Sequence, residues 1–168
     1  MSPEAFLTRA LERYERPLVS YAKAITGDLE SARDAVQETF LRLSRQDLDA
    51  IEPRLAPWLF FVCRNCALDH RRKVVRLTHA VDDAVPDPGP IPSDEAGASE
   101  DAEQLRSLVA RLPEKQREIV RLKYDTGLSY REIAEVMKTT VNHVGVQLHN
   151  AIVTLRAQWQ RANTEILP

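Results

Sequence analysis

Gly127-Leu128-Ser129-Tyr130-Arg131-Glu132-Ile133-Ala134-Glu135-Val136-Met137-Lys138-Thr139-Thr140-Val141 is the stretch whose reading decides the fold. Gly127 stops a preceding helix, because glycine enters the left-handed conformation without a steric penalty. Ser129 and Glu132 form a capping box, each side chain able to bond the other residue's backbone N–H. Ile133, Ala134, Val136 and Met137 then give a short helix its apolar face. A break at Lys138-Thr139 and a cap at Thr140 precede a stripe at Val141, Val144, Leu148, Ala151, Ile152, Leu155 and Trp159, spaced for one face of a long helix. Short helix, tight turn and second helix make a helix-turn-helix pattern, whose second helix enters the DNA major groove with its N-terminal residues at base edges. An ordinary three-helix bundle satisfies the same periodicity. Upstream, Leu112-Pro113-Glu114 opens another helix, with Pro113 expected at its first position.

The chain has 168 residues, 43% hydrophobic and 29% charged, as in a folded globular protein of one large or two small domains. With 5 glycines and few alternating β-branched runs, the expected class is all-α. No apolar run approaches the ~20 residues that span a bilayer, and with no basic region and long apolar core at Met1-Ser-Pro-Glu-Ala-Phe6 no secretion signal is expected. No membrane insertion is expected, and the expected compartment is the cytoplasm. Net charge is −2, but unevenly spread. Residues 1–76 carry +2, residues 77–104 carry −8 with no Lys or Arg, and residues 105–168 carry +4. Two mildly basic blocks thus flank an acidic connector, which suits weak attraction to phosphates rather than tight binding unaided.

Residues 3–26 read as a helix with Phe6, Leu7, Ala10, Leu11, Tyr14, Leu18 and Tyr21 at core spacings, kinked or split at Pro17. Gly27 ends it and Asp28 caps a second helix over 29–45, which buries Ala32, Ala35, Val36, Thr39, Phe40 and Leu43. Residues 46–57, with two prolines, are expected to form a loop. The segment Trp58–Lys73 reads as one helix, with Pro57 near its first turn, Trp58 in the core and the basic residues of its last turn favoured by the helix dipole. Asp69 and Lys73 are spaced as an i,i+4 ion pair. Cys63 and Cys66 form a C-x-x-C in mid-helix, where no N-terminal dipole lowers the thiol pKa. His70 and His79 follow, but their spacing is not that of a zinc site, so two buried, inert cysteines are expected. Pro86, Pro88, Gly89, Pro90, Pro92 and Gly97, together with eight acids, mark 77–103 as a flexible linker.

Leu112-Pro-Glu-Lys-Gln-Arg-Glu-Ile-Val120 and Gly127–Met137 resemble region 4 of the extracytoplasmic function (ECF) sigma factors, which binds the −35 promoter element. Asp34-Ala-Val-Gln-Glu-Thr-Phe-Leu-Arg42 is similar to region 2.2, which docks on the clamp coiled coil of RNA polymerase, and Trp58–Lys73 resembles regions 2.3–2.4, which open the −10 element. The resemblance implies two small helical domains, a region 2-like domain over 1–76 and a region 4-like helix-turn-helix over 104–168, joined by the acidic linker 77–103. It implies core polymerase contacts at Asp34, Gln37, Glu38 and Arg42, with Phe40 fixing the helix from below. It implies −10 contacts at Arg64, Asn65, Asp69, Arg71, Arg72 and Lys73. Asn65 can read a base edge, the cations can hold phosphates, and loop 46–57 can offer a pocket to an unstacked base. On the −35 side it points to Arg131, Lys138, Thr140, Asn142, His143, Val146, Gln147, His149 and Asn150.

The recognition helix departs from the family pattern. Lys138 stands where glycine is common, and Gly145, Gln147 and Asn150 stand where basic residues are usual. Either amides read bases while Lys123, Arg131 and Lys138 hold phosphates, or this block serves a protein partner instead. No nucleophile–base pair, phosphate loop, cofactor motif or metal cluster is visible, so the expected role is that of a dissociable, non-enzymatic promoter-specificity subunit. The implied partners are bacterial RNA polymerase core, promoter DNA and an anti-sigma factor. The competing readings are a dimeric helix-turn-helix regulator that acts without strand opening, using the Leu148–Trp159 stripe as an interface, and a thiol or metal sensor.

Overall fold

Most helices of this all-α chain begin at a side chain that accepts from their first backbone N–H groups, as at Ser2, Asp28, Asp47, Ser99, Ser129 and Thr140. The computed structural model describes residues 1–78 and 99–164, and these fall into two separate units. In the first, α1 (Pro3–Thr26) starts at Ser2, whose hydroxyl accepts from the Ala5 N–H, and stops at Gly27, left-handed at φ 87°. Asp28 then caps α2 (Leu29–Ser44), its carboxylate accepting from the Ser31 N–H at 2.9 Å. Pro17 does not divide α1. The missing bond costs ~3 kcal/mol, but Ala10 before it and Leu18, Tyr21 and Ala22 after it are all buried. At ~1.5–3 kcal/mol per large apolar side chain, that burial outweighs the lost bond.

The expected loop at 46–57 is helical instead. Asp47 caps α3 (Leu48–Ile51), a 3-10 turn follows over Glu52–Arg54, and α4 runs Leu55–Leu77. The two prolines fall in the 3-10 turn and the first turn of α4, where a missing N–H breaks no helical bond. Helices α1, α2 and α4 pack pairwise on one another around Leu18, Leu43, Leu59 and Phe60, all essentially unexposed. Tyr21 meets Phe60 edge-on at 5.4 Å. Thr39, also fully buried, donates to the Ala35 carbonyl at 2.7 Å, so its hydroxyl is satisfied within its own helix. Several expected core residues of this unit are not fully buried, with Phe6, Leu7 and Tyr14 at the margin of α1. Trp58 and Phe40 are only half-buried and Leu11 is exposed. Leu59 and Phe60 take the central places on α4 that the periodicity had given to Trp58.

The acidic stretch 79–98, with all its prolines and His79, lies outside the described residues. Its last charges do not: Glu100, Asp101 and Glu103 form the first turn of α5 (Glu100–Ala110), capped by Ser99. Carboxylates at a helix N-terminus are stabilised by the dipole, so a run read as linker is partly a helix start. In the second unit α6 (Glu114–Tyr124) follows after three residues, with Pro113 at the N-cap rather than inside the helix. Arg117 donates to the Ala110 carbonyl at 3.0 Å and so ties α6 to the end of α5. Helices α7 (Tyr130–Met137) and α8 (Val141–Thr164) follow in the chain. Ile119, Leu122, Ile133, Val136, Val144 and Leu148 are buried.

The Asp28 cap gives a direct check. The Ser31 N–H holds this carboxyl below the usual carboxylate range. A carboxylate held low stabilises the fold above its unfolded value, about pH 4, and that support is lost as pH falls through the folded value. Asp28→Ala is expected to cost about 1 kcal/mol at pH 7, measured by thermal or urea unfolding. The gap from wild type is expected to close toward pH 2. A gap independent of pH would exclude the carboxylate as its source.

Candidate nucleic-acid and polymerase interfaces

Burial of Ala32, Ala35, Val36, Thr39 and Leu43 turns the opposite face of α2 outward. Asp34, Gln37, Glu38 and Arg42 share that face. Asp34, Gln37 and Arg42 are exposed and Glu38 is partly so. The Arg42 Nε donates to Glu38 Oε1 at 3.1 Å, and this pair raises the guanidinium pKa. The pair lies on the surface, worth at most a few tenths of a kcal/mol. Among these polar groups stands Leu41, 47% exposed, which the sequence reading passed over. It borders an open groove between α1 and α2 lined by Leu11, Val19, Val36 and Phe40, with Glu15, Arg33 and Gln37 also in its wall. Phe40 therefore lines a surface groove rather than bracing α2 from beneath, and Gln37 belongs to both groove and polar face.

On α4 the six residues implicated in −10 contact separate. Asn65, Asp69 and Arg72 lie along one side, with Lys73 beside them, while Arg64 and Arg71, seven apart, lie along another. Arg76 continues the first side and is exposed, although the sequence reading stopped at Lys73. Asp69 accepts from Arg72 Nη1 at 3.3 Å, an i,i+3 pair in place of the expected i,i+4 pair with Lys73. Helices α2 and α4 pack directly on one another, and the charges of Glu38, Arg42 and Asp69 all lie within electrostatic reach of the Cys66 thiol.

In the second unit Leu128 donates to the Leu122 carbonyl across Gly127, left-handed at φ 74°, which closes α6. The capping box at α7 is complete, with Glu132 N–H to Ser129 Oγ at 3.1 Å and Ser129 N–H to Glu132 Oε1 at 3.0 Å. The turn is Lys138-Thr139-Thr140, and Thr140 Oγ1 accepts from the His143 N–H at 3.1 Å to start α8. Lys138 holds φ 54°, ψ 49°, the only positive-φ residue other than glycine among those described. With Val144, Leu148 and Ala151 buried, α8 presents Asn142, His143, Val146, His149 and Asn150 to the outside. Gln147 is half-buried at the flank, and Arg131, Lys138 and Thr140 are exposed at the turn. This is the geometry of a helix-turn-helix, with a mostly neutral recognition surface.

Residues 10–77 match the family model "Sigma-70 region 2" and residues 102–155 match "Sigma-70, region 4". The "ECF RNA polymerase sigma factor SigL" of Mycobacterium tuberculosis is 34% identical over 163 residues, covering 94% of this chain and 91% of its own. The chain belongs to the ECF sigma factors. A further relative, the ECF sigma factor SigM of Bacillus subtilis, is 28% identical over 158 residues, covering 89% of this chain and 93% of its own. Among solved structures, the sigma factor RpoE in complex with the anti-sigma factor NepR from Bartonella quintana has TM-score 0.70 at 20% identity, covering 91% of this chain and 96% of its own. CnrH in complex with the cytosolic domain of CnrY has TM-score 0.61 at 22% identity, covering 92% and 88%.

The thiols of this sigma factor are sealed in region 2. Cys63 is unexposed, its Sγ donating to the Leu18 carbonyl at 3.9 Å, and burial pushes its pKa up to about 12. Burial also raises the Cys66 pKa, against the pull of Arg42. Neither environment favours thiolate chemistry. Among the described residues no three His, Cys, Asp or Glu side chains converge on a metal position, and no helix is long and apolar enough to cross a membrane.

Lys138 carries a conformational cost that glycine would not. Left-handed backbone at a side-chain-bearing residue costs ~1–2 kcal/mol. Lys138→Gly is expected to raise the unfolding free energy of region 4 by about 1 kcal/mol while reducing the slope of log affinity against log salt for promoter DNA by about 0.9. Calorimetry and binding titrations across a salt series measure the two effects. An unchanged slope would remove Lys138 from the phosphate contacts.

Proposed function

We propose that this ECF sigma factor is a dissociable specificity subunit that brings bacterial RNA polymerase to promoters and helps part the strands, with no catalysis of its own. The observation that carries this reading is the adjacency, within one packed three-helix unit, of the α2 face and the α4 face. Asp34, Gln37, Glu38, Leu41 and Arg42, with the apolar groove beside them, offer polymerase an apolar centre and a polar rim. Asn65, Asp69, Arg72 and Arg76 offer DNA one amide among charged groups. A rigid unit gripping polymerase through one helix and DNA through the next holds the opening strand at a fixed place on the enzyme. Unstacking a base costs a few kcal/mol, and Asn65, with a donor and an acceptor, can return part of that through a base edge. Arg64 and Arg71, on the other side of α4, serve the phosphate strand.

We take residues 1–76 as the polymerase and −10 module, 104–168 as the −35 module and 77–103 as their connection. In region 4, Asn142, His143, Val146, Gln147, His149 and Asn150 read bases, Asn and Gln suiting adenine and Val146 a thymine methyl. Arg131, Lys138 and Thr140 sit where the turn would meet phosphates. The solved RpoE structure is a complex with the anti-sigma factor NepR, and an anti-sigma factor is proposed for this chain too. It would act in the cytoplasm, where polymerase and chromosome are.

Run-off transcription with core polymerase on a genomic fragment library tests the reading, since a sigma factor selects a discrete set of start sites. On a promoter so recovered, Asn65→Ala is expected to lower strand opening about tenfold, the loss of one base contact, with duplex binding nearly unchanged. Permanganate reactivity and filter binding separate the two. Equal opening by variant and wild type would remove Asn65 from base recognition, and random initiation by the wild-type holoenzyme would overturn the function.

A further inference from the structure

Gly145 is an anomaly in α8. A glycine inside a helix costs ~1 kcal/mol relative to alanine, and this one lies in the second turn of the recognition helix. The structure shows what a side chain there would meet. Tyr130, first residue of α7, brings its ring atom Cε2 to 3.8 Å from the position of a Cβ on Gly145. On the α6 side the Lys123 ammonium lies 5.3 Å from the ring centroid, within cation–π range. The backbone of Tyr130 is fixed by the adjoining Ser129–Glu132 capping box. Yet the residue remains 40% exposed.

On the helix surface the neighbours of position 145 include Asn142 and His149, three residues before and four after. Both are exposed and both belong to the base-reading face. A rigid phenol thus stands at the flank of that face, carried by the preceding helix.

We propose that Tyr130 is a DNA-contacting residue that replaces the missing side chain of position 145, donating its phenolic hydroxyl to a phosphate oxygen at the edge of the major groove. Gly145 leaves the ring edge free of any long side chain on α8, and the Lys123 ammonium lies within cation–π range of the ring while adding charge toward the same strand. A phenol has few rotatable bonds to freeze, and a hydrogen bond to a charged oxygen is stronger than a neutral one. The arrangement supplies a backbone contact without a basic residue on α8. This inference rests on the −35 reading of region 4 given above.

The test uses holoenzyme of the full chain and a duplex promoter recovered in the run-off selection, with affinity measured over a salt series. Tyr130→Phe keeps the ring and removes the hydroxyl. It is expected to weaken binding about tenfold with the salt slope unchanged, because no counterion is released to a neutral donor. Lys123→Gln is expected to reduce the slope by about 0.9. Gly145→Ala places its methyl at ordinary contact distance from the ring, so affinity is expected to stay within about twofold while stability rises. Gly145→Leu unseats the ring and is expected to cost as much as Tyr130→Phe, with no further loss when the two are combined. Melting curves confirm folding, and if Gly145→Leu does not fold, Tyr130→Phe and Gly145→Ala decide. Wild-type binding by Tyr130→Phe, or additive losses in the double variant, would overturn the proposal. If the wild-type holoenzyme protects no promoter, the function reading falls first and this inference with it. If wild type protects and Tyr130→Phe is unaffected, only this inference falls.

Discussion

Each helix here can bury only one face, and the burial of that face fixes which polar groups are offered to partners. In region 2, Leu18, Leu43, Leu59 and Phe60 close one layer among α1, α2 and α4. Rotating any of these helices to present different residues would expose at least one large apolar side chain, at ~1.5–3 kcal/mol each. The charged faces of α2 and α4 are therefore held by the core, not by their own ion pairs. Glu38–Arg42 and Asp69–Arg72 are exposed pairs within single helices and contribute little to the fold. Their charges remain accessible to a partner for the same reason.

Region 4 meets the same constraint with shorter helices, so its end groups matter more. The eight residues of α7 are too few to be stable as an isolated helix. Reciprocal bonds between Ser129 and Glu132 satisfy its first donors, and Lys138 turns the chain at its end at a conformational cost. Backbone strain held at an exposed cation next to a recognition helix fits a site where function outweighs stability. Region 4 also contains Arg121, buried and with its Nε lacking a hydrogen-bond partner, where burial lowers the guanidinium pKa. That is a second place where region 4 does not optimise stability.

Much of the fold was legible because it was written in local chemistry. The Ser129–Glu132 box, the Asp28 cap and the glycine stops at 27 and 127 each have one dominant backbone use, and each stands where the sequence put it. Readings failed where tertiary packing decided. Two prolines in 46–57 suggested a loop, but proline is compatible with a helix's first turn and with a 3-10 turn. Trp58 suggested a core residue by size, whereas Leu59 and Phe60 fit the interior better and left the indole half-buried. The acids at 100–103 were counted as linker charge, though Ser99 made them a helix start. In the candidate interfaces, a polar face is visible from periodicity. The exposed Leu41 within it and the Tyr130 ring over Gly145 are not, because both depend on distances between helices.

The central claim is that one monomeric chain joins core polymerase through region 2 and thereby gains its hold on DNA. Analytical ultracentrifugation of the purified chain, alone, with core polymerase and with duplex promoter DNA at low salt, tests this directly. The expected result is a monomer alone, a one-to-one complex with core polymerase, and firm association with DNA only when polymerase is present. A dimer that binds the duplex unaided and does not sediment with polymerase would contradict it.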